Sequence, residues 1–173
     1  MPFQYYDWQD ILDIAEQKGE NLFLLILENL EDPRNFGAIL RTAEAAGVHG
    51  VIIPKKRSVQ LNETVQRTST GAADLVPIAR VGNINDIINR LKEKNIWIVG
   101  LEADSSQDFR EVDYIVPTAL VIGSEGGGMS RLTREICDFM VKIPMKGQIT
   151  SLNASVAAAL LMYEVVRQRG NRS

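Results

Sequence analysis

Apolar residues follow two spacings that alternate along the chain. Short runs that are apolar at nearly every position are typical of strands covered by helices on both faces of a sheet. Between these runs, apolar residues recur every three or four positions, which is typical of helices with one buried side. The alternation predicts an α/β fold, a parallel sheet with helices on both faces. The predicted strands are 22–27, 51–53, 75–79, 96–101, 119–122 and 139–143, and the predicted helices are 7–18, 35–46, 62–68, 85–94, one starting near 130, and 154–168.

Two loops in the last third of the chain have an unusual composition. The run at 119–122 leads into a loop with four glycines within 123–128, and the strand at 139–143 leads toward a small polar segment at 151–153. Glycine has no Cβ, so its backbone lets a ligand approach closely. Ligands of parallel sheets bind beyond the carboxyl ends of the strands, where both loops fall. We therefore predict a binding site there, and we expect Gly123→Val to obstruct it while leaving the fold largely intact.

Three common motifs can be compared with the glycine loop. The spacing of 123–130 matches a phosphate-binding loop, but Met129 stands where the phosphate-binding lysine is required. A dinucleotide-binding fingerprint opens the helix after an early strand, whereas these glycines come late and in a different spacing. A serine-hydrolase elbow needs glycine two residues before and two after the serine, and neither Ser124 nor Ser130 has both. The loop fits none of these motifs.

The composition narrows the class of protein. With 173 residues, 45% of them hydrophobic, the chain is long enough for one domain with a substantial core. No apolar run approaches the ~18 residues that cross a bilayer, and the first residues lack a basic then apolar leader, so we expect a soluble, cytoplasmic protein without a membrane partner. Cys137 and His49 are the sole residues of their types, which argues against a zinc site. Magnesium held by carboxylates stays open at this point.

Most candidate residues have an ordinary structural interpretation. The net charge of −3 argues against indiscriminate nucleic-acid binding, and the basic segment 55–57 is more typical of a solvated loop than of a polyanion patch. Arg41 lies away from the apolar side of its helix, which favours an exposed arginine. Asn153 precedes the last helix, where asparagine is a favoured N-cap, and Cys137 is typical of a small core residue. Glu125 is less ordinary, because it adds an acceptor to a loop with few side chains.

Three segments occur in an order that is shared with a known family. They are NLEDPRNFGAILRTAEAAG at 29–47, LVIGSEGGGM at 120–129 continuing into SRL at 130–132, and IPM at 143–145 followed by SLNASV at 151–156. Together they resemble the SpoU, or TrmH, branch of the knotted SPOUT RNA methyltransferases, over about 22–169. The segments 70–81, 95–100 and 131–135 are similar to the subgroup that methylates a guanosine ribose in 23S ribosomal RNA.

The resemblance implies an architecture that the hydrophobic pattern alone does not predict. It implies a SPOUT α/β-knot with a trefoil knot at the carboxyl end, to which the alanine-rich last helix is suited. It also implies one SpoU-type methyltransferase domain over 1–173, in which 1–20 form a short helical extension. The separate amino-terminal RNA-binding domain that is usual in this family is expected to be absent.

The resemblance also implies an activity. The expected reaction is S-adenosylmethionine-dependent methylation of an RNA ribose 2′-oxygen by a homodimer, on guanosine in 23S ribosomal RNA and without a metal. A guanidinium stays protonated at ordinary pH, so we interpret Arg41 as a cation that stabilises the developing alkoxide and not as a base. The residues that match the family's positions are Leu101, Gly123, Ile143 and Leu152 for the cofactor, and Arg41, Asn35, Glu125, Ser151 and Asn153 for function. We expect the dimer interface to include the helix at 35–46 and the final helix, where Leu160, Leu161 and Val165 are apolar, although the core of a monomer would bury these three residues equally well.

Other functions remain open on sequence alone. A noncatalytic RNA-binding or cofactor-sensing module would suit an acidic chain, and a tRNA 2′-O-methyltransferase would share the same motifs. A nucleotide-phosphate binder rests on the glycine spacing alone. The joint presence of Asn35, Arg41, Glu125 and Asn153 favours the enzyme.

Overall fold

Seven parallel strands form one sheet in a computed structural model that describes residues 3–56, 58–123 and 128–170. The strands are β1 Phe23–Leu27, β2 Gly50–Pro54, β3 Ile78–Val81, β4 Trp97–Leu101, β5 Gln107–Asp108, β6 Thr118–Ile122 and β7 Phe139–Lys142. The helices are α1 Trp8–Gln17, α2 Pro33–Ala46, α3 Glu63–Thr68, α4 Ile84–Glu93, α5 Arg131–Ile136 and α6 Ala154–Gly170. The strand order is β3-β2-β1-β6-β4-β7-β5.

Helices cover both faces of the sheet, as the continuous apolar runs predict. In β1 every residue is buried, and successive side chains point to opposite faces because a strand has a period of two. Phe23, Leu25 and Leu27 join a core with α2, α3 and α6. Leu24 and Ile26 join a second core with α1 and α4. The two cores fix β1 in the interior of the sheet, between β2 and β6.

Side-chain caps define where most helices begin. Asp7, Asn62, Asn83 and Ser130 each accept a hydrogen bond from a main-chain N–H in the first turn of the following helix. Helix α2 begins at Pro33, two residues earlier than the apolar pattern predicts, because Asp32 provides the cap. Proline is tolerated in the first turn since its missing N–H has no partner there.

The third strand was predicted too early. Residues 72–74 form a short 3-10 turn, Leu75 is exposed, and β3 runs over Ile78–Val81 instead of 75–79. The apolar residues before Pro77 therefore belong to the turn and not to the strand. Strand β5 was not predicted, because a two-residue strand has no recognisable period.

The last helix runs from the carboxyl ends of the central strands to their amino ends. It begins beside the carboxyl ends of β4 and β6, and near its end Arg169 donates hydrogen bonds to the carbonyls of Asn21 and Leu22, at 2.7 and 2.9 Å, just before β1. Arg169 also bonds Val116 O, just before β6. This path and the strand order are consistent with the carboxyl-terminal knot that the resemblance implies.

His49 links the amino ends of β1 and β2. It is buried, its Nδ1 accepts the Phe23 N–H at 2.9 Å, and its Nε2 lies 3.0 Å from Glu20 Oε1. Because Nδ1 is an acceptor, Nε2 holds the proton and donates to Glu20. Burial lowers the pKa of His49, despite the nearby carboxylate.

We expect the free energy of unfolding to decrease as the pH falls below 6.5, the ordinary pKa of histidine. The unfolded chain then binds a proton that the folded protein disfavours, so stability is complete above that pH and is lost as the pH falls, by at most about 1.4 kcal/mol per pH unit for one proton. Urea unfolding across the mildly acidic range measures the slope. His49→Asn keeps an acceptor near the Phe23 N–H and should flatten it. An equal slope in both proteins would assign the effect to another group.

Candidate functional site

A cavity of about 630 Å³ lies at the carboxyl ends of β4 and β6, close to the end of β7. All four predicted cofactor positions line it: Leu101 ends β4, Gly123 follows β6, Ile143 follows β7, and Leu152 lies just before α6. Ser151 lines it as well. The structure therefore brings together, in one cavity, residues that lie up to about fifty positions apart in sequence, as the geometry of parallel sheets requires.

Several lining residues were not predicted. Glu102, Ala103 and Asp104 follow β4 directly, Thr150 lies just before Ser151, and Ala157 comes from the first turn of α6. The positions of residues 102–104 gave one signal, since these residues directly follow a buried strand at the carboxyl edge of the sheet, where the glycine loop also lies. Their types matched no motif.

Carboxylates make the rim of the cavity acidic. Glu102 Oε1 accepts a hydrogen bond from Arg134 Nη1 at 3.1 Å, and burial raises the pKa of Glu102 even though Arg134 opposes the shift. Asp104 is exposed at the same rim. Apolar residues make up much of the remaining wall, including Leu101, Ile122 and Ile143. Such a cavity suits a ligand with an apolar body and a cationic group.

Asn153 caps α6, as its position predicts. Its Oδ1 accepts the N–H groups of Ser155 at 2.9 Å and Val156 at 3.4 Å. The cap holds the first turn of α6 against the cavity, where Ala154 and Ala157 are lining residues. Asn153 thus has a structural role whether or not it also contacts a substrate.

The two predicted residues of α2 lie apart from the described cavity wall. Arg41 is exposed, as its position on the helix predicts, and Asn35 is partly buried. Helix α2 packs closely on its neighbours, since a Cβ at Gly37 would overlap the Thr68 hydroxyl. It also packs against α6, so Arg41 is held on the same face of the sheet as the helix that helps to line the cavity.

Two predictions concern residues outside the described ranges. Glu125 lies in 124–127, and Arg57 of the basic segment lies between the ranges 3–56 and 58–123. Lys55 and Lys56 are exposed, which agrees with the solvated-loop interpretation.

The expectation for Gly123→Val was wrong in one respect. A Cβ at Gly123 would lie 2.6 Å from the carbonyl carbon of Gly128 and 2.7 Å from Met129 N. The two ends of the glycine loop therefore touch, backbone against backbone. A valine would push the loop apart, so this variant tests loop closure and not ligand approach alone.

Neither metal nor thiol chemistry is supported by the described residues. Among residues 3–56, 58–123 and 128–170, no group of three or more His, Cys, Asp or Glu side chains could hold a metal ion. Cys137 packs near Gly100, and burial raises the pKa of its thiol to about 12. A thiol that stays protonated is a weak nucleophile, which agrees with its interpretation as a core residue.

Comparisons with known proteins agree with this geometry. The model of the SpoU rRNA methylase family matches residues 22–163. YacO of Bacillus subtilis (strain 168), assigned to the TrmH family of tRNA/rRNA methyltransferases, is 54% identical over 167 residues, which are 96% of this chain and 67% of YacO. The crystal structure of the SpoU methyltransferase AviRb from Streptomyces viridochromogenes with AdoMet bound has a TM-score of 0.82 and 33% identity, and covers 88% of this chain and 62% of that one. The structure of an RNA 2′-O ribose methyltransferase has a TM-score of 0.77 and 32% identity, and covers 86% and 57%.

The parallel sheet thus has the fold of solved SpoU methyltransferases. The chain belongs to the SpoU rRNA methylase family. It spans less than two thirds of the AviRb chain. In the described ranges, no helix combines the length and apolar character needed to cross a membrane.

Proposed function

We propose that this protein transfers a methyl group from S-adenosylmethionine to a ribose 2′-oxygen of RNA, with guanosine in 23S ribosomal RNA as the substrate. The observation that supports this most strongly is the convergence of Leu101, Gly123, Ile143 and Leu152 on one cavity in a chain of the SpoU family. AviRb binds AdoMet in a closely similar fold. A 2′-O ribose methyltransferase is also among the similar structures.

The residues present fit this cofactor. The volume of about 630 Å³ falls within the usual range for small-molecule sites. Apolar side chains and glycine backbone can cover an adenine ring, and the exposed carboxylate of Asp104 at the rim favours the positive charges of the sulfonium and amino groups. Glu102 is already paired with Arg134. S-adenosylmethionine supplies a methyl group that its sulfonium already activates.

The protein then has to orient the ribose hydroxyl and assist loss of its proton. Arg41 is exposed and permanently charged, so it can stabilise negative charge that develops on the 2′-oxygen. Ser151 lines the cavity and can donate or accept a hydrogen bond beside the reacting groups. Asn35, Glu125 and Asn153 complete the proposed set, as positioning residues.

The test is transfer of a labelled methyl group from S-adenosylmethionine to 23S ribosomal RNA fragments, transfer RNA and the DNA analogue of the RNA that reacts. We expect label on a ribose of the ribosomal RNA and none on DNA, which lacks the accepting oxygen. Label on a base would refute the reaction, and label on transfer RNA alone would assign the other substrate. Calorimetry with S-adenosylmethionine and with ATP separates the enzyme from a nucleotide-phosphate binder.

We also propose that the protein acts as a homodimer through α6. Of the three residues predicted for the interface, Leu161 and Val165 were wrong, because both are buried in the core of the same chain. Leu160 is exposed. The exposed apolar stripe of α6 consists instead of Val156, Leu160 and Tyr163, at helical spacing. A contiguous apolar stripe on a surface helix is typical of a protein interface.

Leu160→Glu is expected to convert the dimer to a monomer, because it places a charge in the apolar stripe. Light scattering at micromolar concentration measures the mass. Leu132→Glu is the matched control, since Leu132 is also exposed but lies on α5. A monomeric mass for the unchanged protein, with activity retained, would contradict the proposal.

A further inference from the structure

Glu28 is a buried carboxylate that lies outside the cavity wall and has no role in the reaction described above. It follows β1 directly and is 6% exposed. Its main-chain N–H donates to Ile122 O at 2.8 Å, and its Oε1 accepts the main-chain N–H of Ser130 at 2.7 Å. Ile122 ends β6, and Ser130 precedes α5. One residue therefore binds the chain on both sides of the glycine loop.

The second carboxylate oxygen is also in use. Glu28 Oε2 accepts the Thr133 hydroxyl at 2.5 Å and lies 3.3 Å from Ser130 Oγ. Thr133 is fully buried and also contacts Asn85 of α4 at 2.9 Å. A buried carboxylate with several donors is a strong anchor, and removal of its charge leaves those donors without an equal partner.

These bonds are not needed to cap helix α5. The Ser130 hydroxyl already accepts the Thr133 N–H at 3.2 Å, which is the usual N-cap bond. The bond from Ser130 N–H to Glu28 instead involves the residue where the glycine loop ends. Its effect is to hold Ser130, just after the loop, against the end of β1.

The geometry points to Glu28 as a positioning residue that holds the two ends of the glycine loop, Gly123 and Gly128, in contact and so shapes the cofactor cavity. When Ile122 and Ser130 are held together, Gly123 and Gly128 are in backbone contact. Both glycines line the cavity, and a Cβ at Gly128 would lie 3.3 Å from Glu102 Oε1 at its rim. Glu28 also precedes the segment that leads into α2, so it ties the cavity to the helix that contains Arg41.

This inference rests on the proposed function, since it assigns the cavity to S-adenosylmethionine. The test is the dissociation constant of S-adenosylmethionine, measured by calorimetry for Glu28→Gln and for Glu164→Gln. Glu164 is the matched control because it is equally buried, at 6%, and binds Arg167 and Gln168 within α6, away from the described cavity wall. Each variant replaces one buried carboxylate by a neutral amide of the same shape.

We expect Glu28→Gln to weaken S-adenosylmethionine binding by about tenfold or more, as loss of a buried charge-assisted hydrogen bond implies. Glu164→Gln should change binding by less than about twofold even where the two variants lose similar thermal stability. Thr133→Val, which removes one donor and preserves the side-chain shape, should give a smaller effect in the same direction. It also provides the test if Glu28→Gln does not fold.

A second measurement does not depend on the cofactor. Amide hydrogen exchange of Met129 and Ser130 should be faster in Glu28→Gln than in Glu164→Gln, with β1 unchanged. Equal binding by the two variants, or equal exchange at these amides, would overturn the inference. If the unchanged protein does not bind S-adenosylmethionine, the proposed function fails, and the exchange data alone decide whether Glu28 holds the two ends of the glycine loop together.

Discussion

Arg41→Ala is expected to lower the rate of methyl transfer to RNA by about a hundredfold or more, the usual cost of removing a group that stabilises a developing oxyanion. The affinity for S-adenosylmethionine should stay nearly constant, because Arg41 lies apart from the described cavity wall. The physical reason is that the guanidinium acts on charge that appears only as the 2′-oxygen loses its proton. Single-turnover rates with saturating cofactor and RNA measure the effect on the chemical step.

Two further variants show whether the effect comes from the charge of Arg41 and whether it is specific to that position. Arg41→Lys keeps the charge but loses the planar fork, so partial activity would favour an electrostatic role over a base role. Arg90→Ala is the control, since Arg90 is also an exposed arginine but lies on α4, which packs on the opposite face of the sheet. Equal rates for the unchanged protein and Arg41→Ala would refute the proposed role.

Ala157→Phe is expected to abolish cofactor binding while the fold remains. Ala157 lines the cavity from the first turn of α6, and its N–H donates to Asn153 O at 2.9 Å. The backbone is regular helix at this position, so a larger side chain would extend into the cavity. A phenyl ring would occupy space that the ligand needs, and the loss should be about a hundredfold or more, or about 2.7 kcal/mol of binding free energy.

Ala159→Phe provides the comparison for this experiment. Ala159 is half-buried on the same helix, like Ala157, but is not part of the described cavity wall. Calorimetry gives the affinity, and circular dichroism shows whether both variants keep their helices. Binding by Ala157→Phe at the level of the Ala159→Phe control would show that the cofactor lies elsewhere.

The parts of the fold that sequence predicted best are those with local causes. The apolar run of β1 and the cap of α6 at Asn153 act within a few positions of themselves, so their patterns are visible in the sequence. The third strand was misplaced because apolar Leu75 belongs to a turn and is exposed, contrary to what its type suggests.

The candidate site was predictable to the extent that the family resemblance named its residues. The resemblance predicts Leu101, Gly123, Ile143 and Leu152 as cofactor residues, and the fold brings all four to one cavity. Glu28 could not be found in this way, because its partners Ser130 and Thr133 lie 102 and 105 positions away. A single acidic residue after a strand is most often solvated, and only the fold reveals that it is buried and bound.

The position of α6 has a consequence for how the protein is made. This helix is the last element of the described chain, and it contributes Ala154 and Ala157 to the cavity wall. During translation every strand of the sheet leaves the ribosome before it, yet the cavity lacks one wall until α6 has packed against α2. The cavity therefore forms only once α6 has packed against α2, and we expect S-adenosylmethionine to stabilise only states of the chain in which α6 is in place.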